Sequence, residues 1–170
     1  AKVTQITTQD DRFYKVGGKF LASVTWILSS YPKSEALIRW IASKGIDQAK
    51  AEKESAGDRG SKVHNAIQDL LKGKEVRWGA KYWSELDGEF SVLTIEEWEA
   101  LMGFVNFWND KKPVLLASEK VCYSEKHGYA GTADALLKID GKKVLVDFKT
   151  SSKIYVTYPL QVAAYFVAFE

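Results

Sequence analysis

The dipeptide Asp140-Gly141 constrains this 170-residue sequence more than any other feature. Asp-Gly between two apolar runs is typical of a two-residue type I′ hairpin turn, because both turn residues must adopt positive φ. Such a turn pairs Ile139 with Lys142. The same register sets Asp134 opposite Asp147 on one sheet face, with Cβ atoms roughly 4.5–5.5 Å apart. It sets an apolar group on the other face: Ala133, Ala135, Leu137, Val144, Val146 and Phe148. Two carboxylates that face each other destabilise a sheet, so the pair predicts a shared proton or a bound cation.

Lys149 adds a positive charge beside this carboxylate pair. It follows Asp147 by two residues, so strand alternation predicts that its side chain lies on the same sheet face. Carboxylate oxygens suit Mg²⁺ or Mn²⁺, and a neighbouring ammonium can hold a water for attack on a phosphate. The alternative is that Asp134, Asp147 and Lys149 form an ordinary ion pair on a solvated sheet face. Because all three share one register, we favour a catalytic site.

Glu119 joins the pair only if the loop after its strand has one particular length. A four-residue loop from Glu125 to Gly128 sets Glu119 opposite Asp134, and other loop lengths break that pairing. The alternative is a surface glutamate. We therefore treat Glu119 as a further catalytic candidate that depends on this loop.

His64 lies at the edge of the apolar face of a helix pattern, beside Ile67 and Leu71, so we expect it to be partly buried. One interpretation is a histidine hydrogen-bonded at the margin of the core. The other is a Mn²⁺ ligand, since neutral imidazole binds that ion. Helical periodicity leaves both interpretations open.

The chain divides near Pro113 into a helical part and a strand-rich part. Gly17-Gly18 predicts a hairpin turn near the start. Amphipathic helix patterns follow in SEALIRWIASKG, with Ser34 as its N-cap and Gly45 as its stop, in SKVHNAIQDLLKG, and from Thr94 onward, where Glu97 would complete a capping box. Beyond Pro113 the sequence predicts three antiparallel strands and a closing helix with Pro159 in its first turn. We therefore expect one α/β domain over residues 1–170. Its mainly helical part with the N-terminal hairpin covers 1–112, and its catalytic sheet and closing helix cover 113–170.

Composition fits a soluble globular domain. Hydrophobic residues make up 46% of the chain, which suffices for a core, and the single cysteine, Cys122, cannot form an intramolecular disulfide. The longest apolar run, Val162 to Phe169, is too short to span a bilayer. We expect no membrane partner and a cytosol-like location. The net charge of +2 gives only weak support for a nucleic-acid partner.

Aromatic and basic residues between the helix patterns are candidates for contact with a nucleic acid. Trp78 and Trp83 lie in a less regular region and suit stacking on the bases of a single strand. Arg77, with Lys72 and Lys74 nearby, suits phosphate contact, although such a cluster is commonly a solvated helix end. Three other tryptophans lie on apolar helix faces and are expected in the core: Trp40, Trp98 and Trp108.

Four segments, in order along the chain, resemble motifs of the RecB-like branch of the PD-(D/E)XK nucleases. They are RGSKVH at 59–64, which is similar to a segment that supplies a metal-binding histidine, GTAD at 131–134, VDFKT at 146–150 and QVAAY at 161–165. The LASVTWIL stretch followed by RGSKVH is most similar to single-strand exonucleases of the mitochondrial genome maintenance type and their phage relatives. The resemblance covers roughly residues 20 to 170.

The resemblance implies a fold and a ligand set. The implied fold is a restriction-endonuclease-like core, with a central antiparallel or mixed sheet flanked by helices and preceded by a helical N-terminal region. The implied cofactor is one Mg²⁺ or Mn²⁺, with no other small molecule, and its ligands would be His64, Asp134, Asp147 and the carbonyl of Phe148. Lys149 would lie near the attacking water.

The resemblance also implies that Gln161 supports the site and touches DNA. Thr150 and Ser151 are further candidates for DNA contact. Two departures from the family pattern stand out. Aspartate replaces the more usual glutamate in the D/E-x-K element, and the strand that normally follows the QVAAY helix is absent, so we expect that the chain is cut short after Glu170.

The function expected is a metal-dependent exonuclease that hydrolyses phosphodiester bonds at free ends of single-stranded DNA. It would act in DNA repair, recombination or replication, in the cytoplasm of a bacterial or phage-infected cell, or in mitochondria by family resemblance. One alternative is a nucleic-acid-binding subunit that keeps the nuclease fold without cutting. Another is an endonuclease or double-strand exonuclease of the same fold.

Overall fold

The computed structural model describes residues 2–7 and 12–169, which form two compact units. The sheet unit takes the described residues of Ala1–Pro32, Val114–Asp147 and Lys153–Glu170, and the helical unit takes Lys33–Pro113 and Phe148–Ser152. The predicted α/β class is confirmed. Glu170, where we expect the chain to be cut short, lies outside the described residues.

The secondary-structure elements alternate between short strands and helices before one long strand-rich segment. In chain order they are β1 (Val3–Thr7), β2 (Arg12–Val16), β3 (Lys19–Ser23), α1 (Val24–Ser29), α2 (Glu35–Lys44), α3 (Ile46–Leu71), β4 (Lys81–Ser84), β5 (Glu89–Val92), α4 (Ile95–Lys111), β6 (Val114–Ser124), β7 (Tyr129–Ile139), β8 (Lys142–Val146) and α5 (Thr157–Phe169). The three predicted C-terminal strands and the closing helix are confirmed, and Pro159 lies in the first turn of α5.

The sheet unit contains a mixed sheet in the order β1-β2-β3-β7-β6, with β8 also paired to β7. Its neighbours are antiparallel except β3 and β7, which are parallel. Because β6 occupies one edge of β7, β3 and β8 must share the other. There β3 pairs with Tyr129 and Ala130, and β8 pairs with residues 135–139. Residues 131–134, between the two, form what we call the sheet fork.

Two tight hairpin turns consist of glycine and aspartate residues with positive φ. Gly17 and Gly18 have φ of 54° and 90° and join β2 to β3, as predicted. Asp140 and Gly141 have φ of 48° and 78°, which fits a type I′ turn. The predicted pairing of Ile139 with Lys142 is confirmed.

The β7 residues on one sheet face are fully buried, as the register predicts. Ala133, Ala135 and Leu137 are 0% exposed. Ala133 packs with Val24 of α1, Cys122 of β6 and Tyr165 of α5. Burial raises the pKa of the Cys122 thiol to about 11, so it stays protonated at neutral pH and acts as a core residue.

The helical unit is built on α3 and α4, which pack around Val63, Ile67, Leu101 and Phe104. The predicted caps are confirmed: the Ser34 side chain caps α2, Gly45 ends it, and Thr94 and Glu97 form a capping box at α4. The Glu97 carboxylate also lies 2.9 Å from the buried Lys62 ammonium. An ion pair thus joins α3 to the start of α4.

Several features differ from the sequence prediction. α3 begins at Ile46, fifteen residues before the predicted pattern at Ser61, and β1, α1 and the β4–β5 hairpin were not predicted. None of the α2 residues, all within the described part of the chain, is fully buried, and Trp40 is half-buried on it. Within residues 2–7 and 12–169, the helices are all too short or too polar to cross a membrane.

Candidate functional site

The carboxylate pair lies where the β7–β8 ladder ends. The last recorded pair is Ala135 with Val146, and extending this register by one step would set Asp134 opposite Asp147, the first residue after β8. Both aspartates are half-buried. Asp134 belongs to the sheet fork and Asp147 directly follows β8, so both acidic residues lie at the end of the β7–β8 ladder.

Glu119 lies opposite Asp134 on the other neighbour of β7. The predicted four-residue loop is confirmed, because Ser124 pairs with Tyr129. The pairs on either side of Glu119 follow the same register. Its φ is 48°, a left-handed value that costs a non-glycine residue about 1–2 kcal/mol, and its side chain is exposed. Backbone strain within a paired strand is typical of residues held for a function.

Gln161 connects α5 to Asp147. Its amide nitrogen donates to the Asp147 carboxylate at 3.0 Å and to the Tyr165 hydroxyl at 3.0 Å. Gln161 is 7% exposed, so its amide makes its hydrogen bonds inside the sheet unit and not at the surface. Of its two predicted roles, support of the carboxylate is therefore the one that we retain.

The Tyr165 ring lies against Gly131 at the sheet fork. A Cβ atom placed on Gly131 would lie 2.2 Å from Cε1 of Tyr165, which no side chain could accept without moving the ring. Burial raises the pKa of Tyr165 well above its ordinary value, and the charges of Asp147 and Asp134 raise it further, while the Gln161 hydrogen bond lowers it. The charges of both carboxylates thus influence the pKa of the phenol.

The helical unit contains a separate group of predicted site residues around one pocket. This cavity of about 220 Å³ is lined by Gly60, Val63, His64, Ala100, Phe148, Lys149, Thr150 and Ser151. His64 is half-buried, as predicted, and Lys149 is exposed. The pocket therefore brings together a histidine, a lysine and two hydroxyls, beside an apolar wall.

Lys149 lies in an irregular segment, residues 148–151, and not in a continuation of strand β8. Strand β8 ends at Val146, so side-chain alternation no longer fixes the direction of the following residues. The predicted position of Phe148 on the apolar sheet face is not observed. Its ring packs edge-on against Phe104, with centroids 5.3 Å apart, in the core of the helical unit. Lys149 thus follows Asp147 in the chain but takes its position from the packing of Phe148.

The tryptophans and the arginine that are candidates for nucleic-acid contact lie on the surface of the helical unit. Trp78 is 70% exposed and packs edge-on against Trp98. Trp83 is 41% exposed and packs edge-on against Phe90 on the facing strand of the β4–β5 hairpin. The Arg77 guanidinium is 2.7 Å from Glu75, so its charge is already paired on the surface.

Three residues of these arrangements were missed from the sequence. Phe90 completes the aromatic pair with Trp83, and Gly60 and Ala100 line the pocket. The dipeptide Asp87-Gly88, followed by the alternating Phe90 and Val92, could have indicated a hairpin here, but a two-residue turn would have given the wrong partner for Trp83, because the observed loop has four residues, Glu85 to Gly88. The other two depend on packing between distant segments and leave no local signal.

The donor chemistry at the fork suits a hard cation. Mg²⁺ is commonly bound by one or two carboxylates, with water and substrate phosphate as the other ligands, and Asp134 and Asp147 provide such a pair. Among the residues that the structure describes, no three His, Cys, Asp or Glu side chains form a group that could hold a metal ion.

A scan of the sequence against protein-family models finds no match, and a search of curated proteins finds none either. Membership of the PD-(D/E)XK superfamily therefore stays a prediction.

Proposed function

We propose that this protein is a Mg²⁺- or Mn²⁺-dependent DNA exonuclease that hydrolyses phosphodiester bonds at free ends of single-stranded DNA. The observation that carries the proposal is the hairpin register, which runs to Ala135 opposite Val146 and, extended by one step, would set Asp134 opposite Asp147 at the sheet fork. Two facing carboxylates repel each other and lower fold stability unless a cation or a proton lies between them, so this pair favours a cation-binding role. Hydrolysis of a phosphodiester is the reaction that such a pair, followed by a lysine, fits best.

We also propose that the sheet unit contains a restriction-endonuclease-like core of the RecB-like branch. Three antiparallel strands followed by a helix agree with that expectation. Two of the resembling segments, GTAD and the Gln161–Tyr165 pair, adjoin one another through the Tyr165 ring over Gly131. The third, VDFKT, begins at the last residue of β8 and supplies Asp147.

Each proposed site residue has a separate role. Asp134 and Asp147 would hold the cation with the Phe148 carbonyl, and His64 is the remaining ligand that the resemblance implies. The bound cation would stabilise the negative charge that builds on the phosphate oxygens during hydrolysis. Lys149 would orient the attacking water and stabilise the negative charge that develops nearby. Gln161 holds the Asp147 carboxylate in place by its 3.0 Å hydrogen bond.

The preference for a single strand is supported by exposed aromatic rings. Trp83 and Phe90 form an edge-on pair with ring centroids 5.4 Å apart, and both are exposed on the β4–β5 hairpin. Exposed rings on a rigid hairpin suit stacking on unpaired bases. The hydroxyls of Thr150 and Ser151, which line the Lys149 pocket, would donate hydrogen bonds to a phosphate.

The test of the proposal is degradation of end-labelled linear single-stranded DNA with Mg²⁺, Mn²⁺ or EDTA. Wild type should cut only with metal, and Lys149→Ala should lose cleavage while it keeps DNA binding. The matched control is Lys143→Ala, which removes an exposed lysine from β8 and should cleave like wild type. Cleavage by Lys149→Ala at the wild-type rate would contradict the proposed site.

Two substrates separate this proposal from its alternatives. Cleavage of circular single-stranded DNA would show an endonuclease, and faster degradation of duplex ends would show a double-strand exonuclease. Binding of DNA without cleavage in any metal would show a nucleic-acid-binding subunit. We further propose action in DNA repair, recombination or replication, in the cytoplasm of a bacterial or phage-infected cell, with mitochondria as the second location.

A further inference from the structure

The Asp147 carboxylate and the Tyr165 hydroxyl share one hydrogen-bond donor. Nε2 of Gln161 lies 3.0 Å from Asp147 Oδ1 and 3.0 Å from Tyr165 Oη. An amide nitrogen carries two hydrogens, so it can serve both acceptors at once. An ionised carboxylate only accepts, so contact with Asp147 decides which end of the amide faces it. The direction of the Gln161 side chain therefore depends on both partners.

The Tyr165 hydroxyl is itself held in a fixed place. Tyr165 is 3% exposed, and its ring occupies the space that a side chain at residue 131 would fill. The phenol is protonated at neutral pH, as a tyrosine ordinarily is, and burial raises its pKa further. It therefore accepts from Gln161 without adding a second negative charge beside Asp147. A neutral, immobile acceptor suits the orientation of an amide better than a flexible or charged one.

We infer that Tyr165 is a positioning residue. Its hydroxyl holds the Gln161 amide, which in turn fixes the Asp147 carboxylate, and its ring packs against Gly131. The inference rests on the proposed function, since it assigns Tyr165 a role in the same cation site. Tyr165 acts on the site only through Gln161. Side chains that hydrogen-bond to a metal ligand and orient it are worth roughly 10- to 100-fold in metal affinity. Tyr165 bonds to such a side chain rather than to the ligand itself, so we expect its effect to lie toward the lower end of that range.

The direct test is Tyr165→Phe, with Mn²⁺ affinity measured by isothermal titration calorimetry in the absence of DNA. The substitution keeps the ring over Gly131 and removes only the acceptor of the second amide hydrogen. Gln161 then turns away from Asp147 more readily. We expect Mn²⁺ affinity to fall about tenfold, while the circular dichroism spectrum stays that of wild type.

Tyr129→Phe is the matched control. The Tyr129 hydroxyl donates to the Ala164 carbonyl at 2.9 Å, one residue before Tyr165 on the same helix. This control also removes one tyrosine hydroxyl that bonds to α5, but it leaves the Gln161 amide untouched. It should lower thermal stability by a similar amount and leave Mn²⁺ affinity unchanged. Equal affinity losses in both variants would show that Tyr165 only stabilises α5, and would overturn the inference.

A double-mutant cycle tests whether Tyr165 acts through Gln161. Gln161→Leu removes the donor, so Tyr165→Phe added to it should weaken Mn²⁺ binding no further. Losses that multiply in the double variant would overturn the inference. Wild-type affinity in Tyr165→Phe would overturn it too, and would leave the proposed function standing. If wild type itself bound no Mn²⁺, the proposed metal site would fail, and the positioning role with it.

Discussion

The sheet unit and the helical unit hold their candidate residues by different means. In the sheet unit, Asp134 and Asp147 take their places from the backbone register of one hairpin. In the helical unit, His64 and Lys149 take theirs from the packing of α3 beside an irregular segment anchored by Phe148. A register is set by a few adjacent residues, whereas packing depends on many distant ones. The first arrangement should tolerate core changes that disturb the second.

The two arrangements also differ in strain and charge. The sheet unit sets two carboxylates opposite each other and holds Glu119 at a left-handed φ of 48°. The helical unit instead pairs its buried charges, with Lys62 and Glu97 only 4% and 5% exposed at their side chains. The sheet unit thus combines unfavourable charge with backbone strain in and beside the sheet fork, which is typical of functional positions. In the helical unit, the left-handed φ of Lys112 lies at the end of α4, away from the buried ion pair at its start.

The largest effect should come from neutralising one member of the carboxylate pair. Asp134→Asn or Asp147→Asn should lower cleavage about 10³-fold or more, because cation stabilisation is worth several kcal/mol. Both variants should fold at least as stably without metal, since the facing charges no longer repel. Asp140→Asn is the control, because asparagine also suits the type I′ turn. Cleavage assays and thermal unfolding check this, and activity within tenfold of wild type would contradict it.

A large stability effect should follow from breaking the ion pair of the helical unit. Glu97→Ala leaves the buried Lys62 ammonium unpaired and removes the capping box, so we expect a loss of about 3–5 kcal/mol in the free energy of unfolding. Glu96→Ala, at the exposed neighbouring pair with Arg59, should cost less than about 1 kcal/mol. Urea unfolding measures both. Similar losses in the two variants would show that burial of the pair is unimportant.

A smaller effect is expected from the aromatic surface of the β4–β5 hairpin. Trp83→Ala should weaken binding of single-stranded DNA by about 1–3 kcal/mol, the value typical of one stacked base. Phe20→Ala removes an exposed aromatic ring from the sheet unit and serves as the control. Fluorescence anisotropy in EDTA separates binding from cleavage. If the two variants bind alike, the hairpin is not the stacking surface.

The smallest expected effect concerns the strained residue of the sheet unit. Glu119→Gly should raise the free energy of unfolding by about 1 kcal/mol, because glycine adopts the left-handed φ freely. It should also lower cleavage about tenfold, in line with a supporting carboxylate. Lys112→Gly relieves a similar φ of 43° at the end of α4 and should stabilise without changing cleavage. A stabilised Glu119→Gly with full activity would show that the strain serves no function.

The sequence predicts those features that depend on neighbouring residues. Asp140-Gly141 predicts the β7–β8 register and the four-residue loop predicts the β6–β7 register, and both registers are confirmed. The caps at Ser34 and Thr94 are confirmed for the same reason. In each case one turn or cap residue fixes local backbone geometry.

Features that depend on distant contacts were not predicted. The first part of α3 carries few apolar residues, so it shows no periodic pattern, although pairs such as Lys50 with Glu54 support it. The parallel pairing of β3 with β7 joins segments about a hundred residues apart. The departure of Phe148 from the sheet follows from its contact with Phe104. None of these has a local sequence signal, and the predicted roles in metal and DNA binding stay predictions.

The two arms of the β7–β8 hairpin have a consequence for how this protein can vary. Asp134 and Asp147 each lie five positions from the residue that borders the turn, so the arms have equal length. An added residue within the turn keeps the two arms aligned, whereas one added within a single arm moves its aspartate to the opposite sheet face. Natural variants and engineered insertions should therefore be tolerated at residues 140–141 and excluded from the arms. The turn is thus a suitable place for a reporter peptide.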